Sequence, residues 1–166
     1  MRSTPPSCIA GLLALTLGIG ASAEHRALEE FDGTWEGHLT YAMRSPSPAS
    51  DASAYTVRVT IKANRPVQFE IQADGDTEWA PHPRYIARFR FERRPAMLAG
   101  WFLRSGRDKD GMWVEQQSLI FTKIGSATLL MHQLRVVTNL DLPPEDKDRA
   151  WSFLLMGPLK RAVRTP

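Results

Sequence analysis

Gly33-Thr34-Trp35 opens the first of eight strand-like runs, and no segment reads as a convincing long helix. A tryptophan at the head of a first strand is a large apolar anchor. Eight short strands in series, separated by turn signals, predict an all-β fold. The expected architecture is a single eight-stranded up-and-down antiparallel barrel, a size whose interior holds side chains or one compact ligand.

The strands follow from alternation. Between Thr34 and Ala42, Trp35, Gly37, Leu39 and Tyr41 share one face. Between Tyr55 and Ala63, Tyr55, Val57, Val59 and Ile61 do the same. Val67, Phe69 and Ile71 mark the third strand, and Arg84 to Glu92 reads as the fourth, with Tyr85, Ala87, Phe89 and Phe91 on one side. Met97 to Arg104, Trp113 to Thr122, Ala127 to Thr138 and Trp151 to Ala162 complete the set. Ser45 to Ser53 and Asp74 to Pro83 carry the prolines, serines and glycine of loops. Short helical turns are expected within Glu24 to Asp32 and at Pro143-Pro144-Glu145-Asp146, where proline and acids suit a first helical turn.

The first residues are expected to stay outside the domain. Arg2 supplies a positive start, Cys8 to Gly20 an apolar stretch, and Ala21-Ser22-Ala23 a small-residue cleavage site before Glu24. The apolar stretch falls well short of the roughly 20 residues that a permanent membrane helix needs. Residues 1–23 thus read as a signal peptide and residues 24–166 as one exported domain, periplasmic or secreted. Cleavage removes Cys8, the only cysteine, so neither disulfide nor thiol chemistry is expected and stability must come from packing. The formal charge of +3 is too small to point to nucleic acid. Arg84, Arg88, Arg90 and Arg94 form a basic stripe opposite Phe89 and Phe91, a solvated face or a weak contact with the cell envelope.

The late hairpin carries the site argument. A two-residue turn at Gly125-Ser126 would set Leu119 opposite His132, Gln117 opposite Leu134 and Glu115 opposite Val136. Leu130, His132, Leu134 and Val136 would then point inward with Trp113, Glu115, Gln117, Leu119 and Phe121. Trp113, Glu115, Gln117 and His132 are the resulting ligand-binding candidates, polar groups beside aromatic rings on an otherwise apolar face. An inward carboxylate needs pairing or proximity to water. His25, His38, His82 and His132 lack metal spacing, and Asp108-Lys109-Asp110-Gly111 lacks the acids of a calcium loop, so no metal or cofactor is implied.

The Gly33-Thr34-Trp35 opening and the eight-stranded order resemble the lipocalins and their calycin relatives, here a divergent bacterial lipocalin-like protein. The resemblance implies that Trp35 closes one end of the barrel and that an arginine late in the chain, Arg161, packs across its ring. The family's Thr-Asp-Tyr motif is absent; Thr138-Asn139-Leu140-Asp141 stands in the comparable region. The spacing Gly33-x-Trp35-x-Gly37 is similar to that of the nitrobindin-type haem barrels as well, but those require a late histidine, and the last one here is His132. The expected function is non-catalytic binding of a small apolar or amphipathic molecule. The alternatives are an isomerase- or cyclase-like enzyme using Glu115 and His132, and a structural module of the cell envelope.

Overall fold

The computed structural model describes residues 30–45, 55–73, 75–109 and 111–162. The expected signal peptide, most of the expected first helical turn and most of the Ser45–Ser53 loop lie outside them. Nine antiparallel strands form one curled sheet, a half-barrel. They are β1 (Gly33–Ser45), β2 (Tyr55–Lys62), β3 (Arg65–Ala73), β4 (Ala80–Pro81), β5 (Arg90–Arg94), β6 (Met97–Asp108), β7 (Gly111–Gly125), β8 (Thr128–Asn139) and β9 (Ala150–Arg161). The order across the sheet is β4-β3-β2-β1-β9-β8-β7-β6-β5. Consecutive strands pair, as in a meander, except β4 and β5, and β1 pairs with β9.

The seam lies between the two edges, so the closed eight-stranded barrel is not formed. The expected fourth strand, Arg84 to Glu92, is the reason. Pro81 and Pro83 bracket the point where the chain leaves β4, and proline cannot donate to a ladder. The chain instead makes one helical turn, α1 (Pro83–Ile86), and resumes pairing only at Arg90. This detour carries Tyr85, Ile86 and Phe89 into the core. Tyr85 lies against Phe69 of β3 at 5.2 Å between ring centroids, and Phe89 lies against Phe102 of β6 at 4.7 Å. Aromatic packing spans the gap that strand pairing leaves open. The expected helical turn at Pro143–Asp146 is also absent; two successive tight turns occupy that segment, Asp146 N–H donating to Pro143 C=O and Arg149 N–H to Asp146 C=O.

The inward face follows the alternation of the sequence. Leu39, Val57, Val59, Phe69, Leu119, Phe121, Leu129, Met131, Leu155 and Leu159 are essentially inaccessible to water. Trp35 belongs to this set. Its indole Nε1 donates to the Phe31 carbonyl at 2.8 Å, which removes the cost of burying a donor. Trp35 and Arg161 are direct partners across the β1–β9 ladder, and the Arg161 guanidinium lies 4.5 Å from the indole centroid. Gly33 makes room for this arrangement. Its φ is +135°, and a β-carbon there would lie 2.9 Å from an Arg161 Nη1 atom. At the same end, the Glu30 carboxylate pairs with Lys123 at 3.1 Å and Arg93 at 3.3 Å.

Replacement of Trp35 by alanine should therefore destabilise the protein by about 3–5 kcal/mol, the range for emptying a buried aromatic site. Arg161→Ala should cost about 0.5–1 kcal/mol, because its outer side faces water. Urea unfolding of the two variants checks this ordering; equal and negligible losses would contradict it.

Candidate functional site

The inward positions change character from one end of the half-barrel to the other. Near Trp35 they are apolar. Toward the opposite end, β7 presents Gln117, Glu115 and then Trp113 inward, β6 presents Arg104, and β8 presents Gln133 and Arg135. Glu115 is 1% exposed, and its carboxylate is fully engaged. Arg104, its direct partner on β6, donates from Nε to Oε2 at 2.6 Å and reaches the same oxygen through Nη2. Arg135 donates from Nε to Oε1 at 2.8 Å, and Gln117 Nε2 donates to that oxygen too. Burial pushes the Glu115 carboxyl up, but the Gln117, Arg104 and Arg135 contacts outweigh it and hold it below its ordinary range. The buried acid is tolerated because its charge is shared between two guanidinium groups.

Each guanidinium also has an aromatic neighbour. Arg104 lies 5.1 Å from the Trp113 centroid and Arg135 lies 4.7 Å from that of Trp151. Trp151 stacks on Phe153, and Phe153 meets Tyr41 edge-on. Together Arg104, Glu115, Arg135, Trp113, Trp151 and Asn139 line most of a cleft of 310 Å³ at this open end. That volume is at the lower bound of known small-molecule sites.

A line of buried polar groups runs inward from Glu115. Tyr85 Oη donates to Gln117 Oε1 at 2.7 Å, and Gln133 Nε2 donates to Tyr85 Oη at 2.7 Å. Tyr55 Oη donates in turn to Gln133 Oε1. Desolvation by burial pushes both phenols far above their ordinary range, so they remain protonated donors at any ordinary pH. The donor direction is consequently uniform, from Tyr55 through Gln133, Tyr85 and Gln117 to the Glu115 carboxylate. Such chains polarise one another, and their end point is Glu115, the one buried carboxylate among the described residues. The line joins β2, β8, α1 and β7, so it also fastens the segment that spans the seam.

Trp113, Glu115 and Gln117 share the inward face, while His132 does not. The β7–β8 ladder pairs Ile120 with His132 and Leu119 with Gln133, one residue away from the register that a simple two-residue turn would set. The two-residue turn falls at Ser126-Ala127 rather than Gly125-Ser126, and a bulge between Lys123 and Gly125 then shifts the ladder by one residue and leaves Ile124 exposed. Because side chains alternate every residue, the slip turns Leu130, His132, Leu134 and Val136 outward and brings in Leu129, Met131, Gln133, Arg135 and Val137. Glu115 and His132 therefore lie on opposite faces of the sheet. Gln133 and Arg135 were hidden by this one-residue error. Arg104 had a legible signal, since it continues the inward phase of Leu98, Gly100 and Phe102. Tyr85 kept its inward direction although its strand became a turn.

The basic stripe is redistributed. Arg84 lies on α1 and Arg88 just after it, while Arg90 and Arg94 are on β5, the latter paired with Glu92 at 3.2 Å. Arg88 and Arg90 line a separate surface cleft with Trp101 and Leu103. Among the described residues, no helix is long and apolar enough to cross a membrane. No protein-family model matches the chain, and no curated protein or solved structure shows significant similarity to it.

Two substitutions test the polar layer. Glu115→Gln leaves two guanidinium groups close together without their counter-charge, and should destabilise by about 2–4 kcal/mol. The depressed carboxyl stabilises the fold above its unfolded pKa, and that contribution is lost as pH falls through the lower folded value. The gap in melting temperature between wild type and Glu115→Gln should accordingly narrow in acid, below about pH 4. Tyr85→Phe orphans Gln117 Oε1 and Gln133 Nε2 and should cost about 1–3 kcal/mol. Thermal unfolding between pH 3 and pH 8 measures both.

Proposed function

We propose that the protein is an exported, lipocalin-like binding protein that holds a small amphipathic molecule at the open end of its half-barrel without transforming it. The observation that carries this reading is the arrangement around Glu115. One buried carboxylate fixes Arg104 and Arg135 beside Trp113 and Trp151, so cationic donors and indole rings line a single cleft. Preorganised groups of this kind lower the ordering cost of binding. Arg104 and Arg135 would meet the polar head of the ligand, with Asn139 beside them, and Trp113, Trp151 and Val137 would cover its apolar part. The tightly packed residues below Gln117 favour a ligand seated at the mouth over one threaded to Trp35. Export is supported by the order of Arg2, the apolar run from Cys8 to Gly20, and Ala21-Ser22-Ala23. An acid–base pair of Glu115 and His132 has no common point of approach across the sheet, so the geometry favours binding over that catalytic reading.

The amphipathic probe 1-anilinonaphthalene-8-sulfonate should bind saturably to the native protein. Its affinity should fall at least tenfold in Arg135→Gln and in Trp151→Ala. Native mass spectrometry of protein from its own host should show a non-covalent adduct. Unchanged probe affinity in both variants, together with adduct-free native protein, would sink the reading.

A further inference from the structure

The outward face of the four long strands β6 to β9 has a composition that neither the core nor the open-end cleft explains. From Met97 to Ser105 on β6, Met112 to Thr122 on β7, Thr128 to Thr138 on β8 and Ala150 to Pro158 on β9, no outward position carries Asp, Glu, Lys or Arg, and His132 is the one ionisable side chain among them. At the chain's own proportion of 23% charged residues, about one such position in four would carry a charge. None does. One register row across the face reads Trp101, Ser118, Leu134, Leu154 and Met43. Trp101 is 42% exposed, Met43 48%, and Leu103, beside Trp101, 69%. No described strand or helix packs over this face. A mainly apolar surface of this extent, with Gln116, Ser118, His132 and several threonines among the apolar side chains, marks an interaction site.

We propose that the face is an interface with a second copy of the chain, outer sheet packed on outer sheet. Four strands at about 4.8 Å spacing, uncharged over about 30 Å of their length, present roughly 600 Å² in projection. The accessible surface of such a face is larger than its projection and reaches the roughly 800 Å² per partner of a standard stable interface. The absence of charge makes the face compatible with itself, since a two-fold axis sets each residue against the same patch without like-charge contact. Charged side chains border it, Arg107 and Lys160 at its two ends and Arg90, Glu92 and Arg94 along β5, where Arg90 is the ladder partner of Trp101. Sheets packed face to face interdigitate their side chains at about 10 Å, a geometry that Leu134, Leu154 and Met156 suit. A bilayer is a poorer match. The sheet keeps unpaired edges at β4 and β5, which hydrocarbon does not tolerate, and the arginines nearest the face, Arg90 and Arg94, lie along one margin on β5 rather than within it.

Sedimentation velocity of the purified protein between 1 and 100 µM tests the assignment. The expected mass is twice that of the chain. Leu134→Glu and Leu154→Glu should each raise the dimer dissociation constant at least 100-fold and give monomers with unchanged far-ultraviolet circular dichroism. If either variant fails to fold, Leu134→Cys replaces it: mild oxidation should cross-link the dimer through residue 134 and leave a reducible band of doubled mass. A wild-type monomer at 100 µM overturns the proposal, as does a dimer that withstands both glutamates or a Leu134→Cys protein that does not cross-link. A monomer that floats with phosphatidylglycerol vesicles also overturns it, because the face would then serve a lipid surface.

Discussion

The pairing of β1 with β9 holds the two parts of this sheet together. On one side lies the meander β1 to β4, on the other the meander β5 to β9, and the ladder between Gly33–Ser45 and Ala150–Arg161 is where they join. The two backbones approach so closely that neither side can carry a β-carbon at the crossing. One on Gly37 would lie 2.1 Å from the Pro158 carbonyl oxygen, and one on Gly157 would lie 2.0 Å from that of His38. The same ladder aligns Trp35 with Arg161. The glycines, the buried indole and the guanidinium are thus parts of one junction.

The opposite seam is managed by different physics. Between β4 and β5 there is no ladder, and the gap is crossed by α1 and the aromatic cluster of Phe69, Tyr85, Phe89 and Phe102. Tyr85 contributes twice, as a ring against its apolar neighbours and as a hydroxyl between Gln117 and Gln133. This double role explains why the seam and the polar layer are coupled. Glu115 is connected by hydrogen bonds through Gln117 to Tyr85, on the segment that spans the gap. A barrel closed by strand pairing would have no such dependence.

The Arg104–Glu115–Arg135 cluster shows how burial and function compete for the same groups. Glu115 alone would be an expensive occupant of the interior. With two arginines and Gln117 it becomes the organising charge of the open end. Its partners remain about one-third exposed, so they face both the buried acid and the water of the cleft. On the outer face of β6 to β9 the selection runs the other way, since acidic side chains, lysines and arginines are absent where a sheet facing water would ordinarily carry them.

Much of the strand pattern was legible from alternation alone, because a residue period of two directly reports which side chains share a face. The inward set of β1 and β2, the placement of Trp113, Glu115 and Gln117, and the approach of Arg161 to Trp35 follow from that periodicity and from the resemblance to lipocalins. Three things required tertiary structure. The bulge near Ile124 is a feature of the β7–β8 pair, and it reverses the direction of His132, Gln133 and Arg135. The open seam depends on where Pro81 and Pro83 fall relative to the neighbouring ladder, although Tyr85 and Phe89 already looked inward-facing. The donor line from Tyr55 to Glu115 joins residues distant in sequence. Local sequence determined which residues seek the interior; register, which is a property of strand pairs, decided which of them meet.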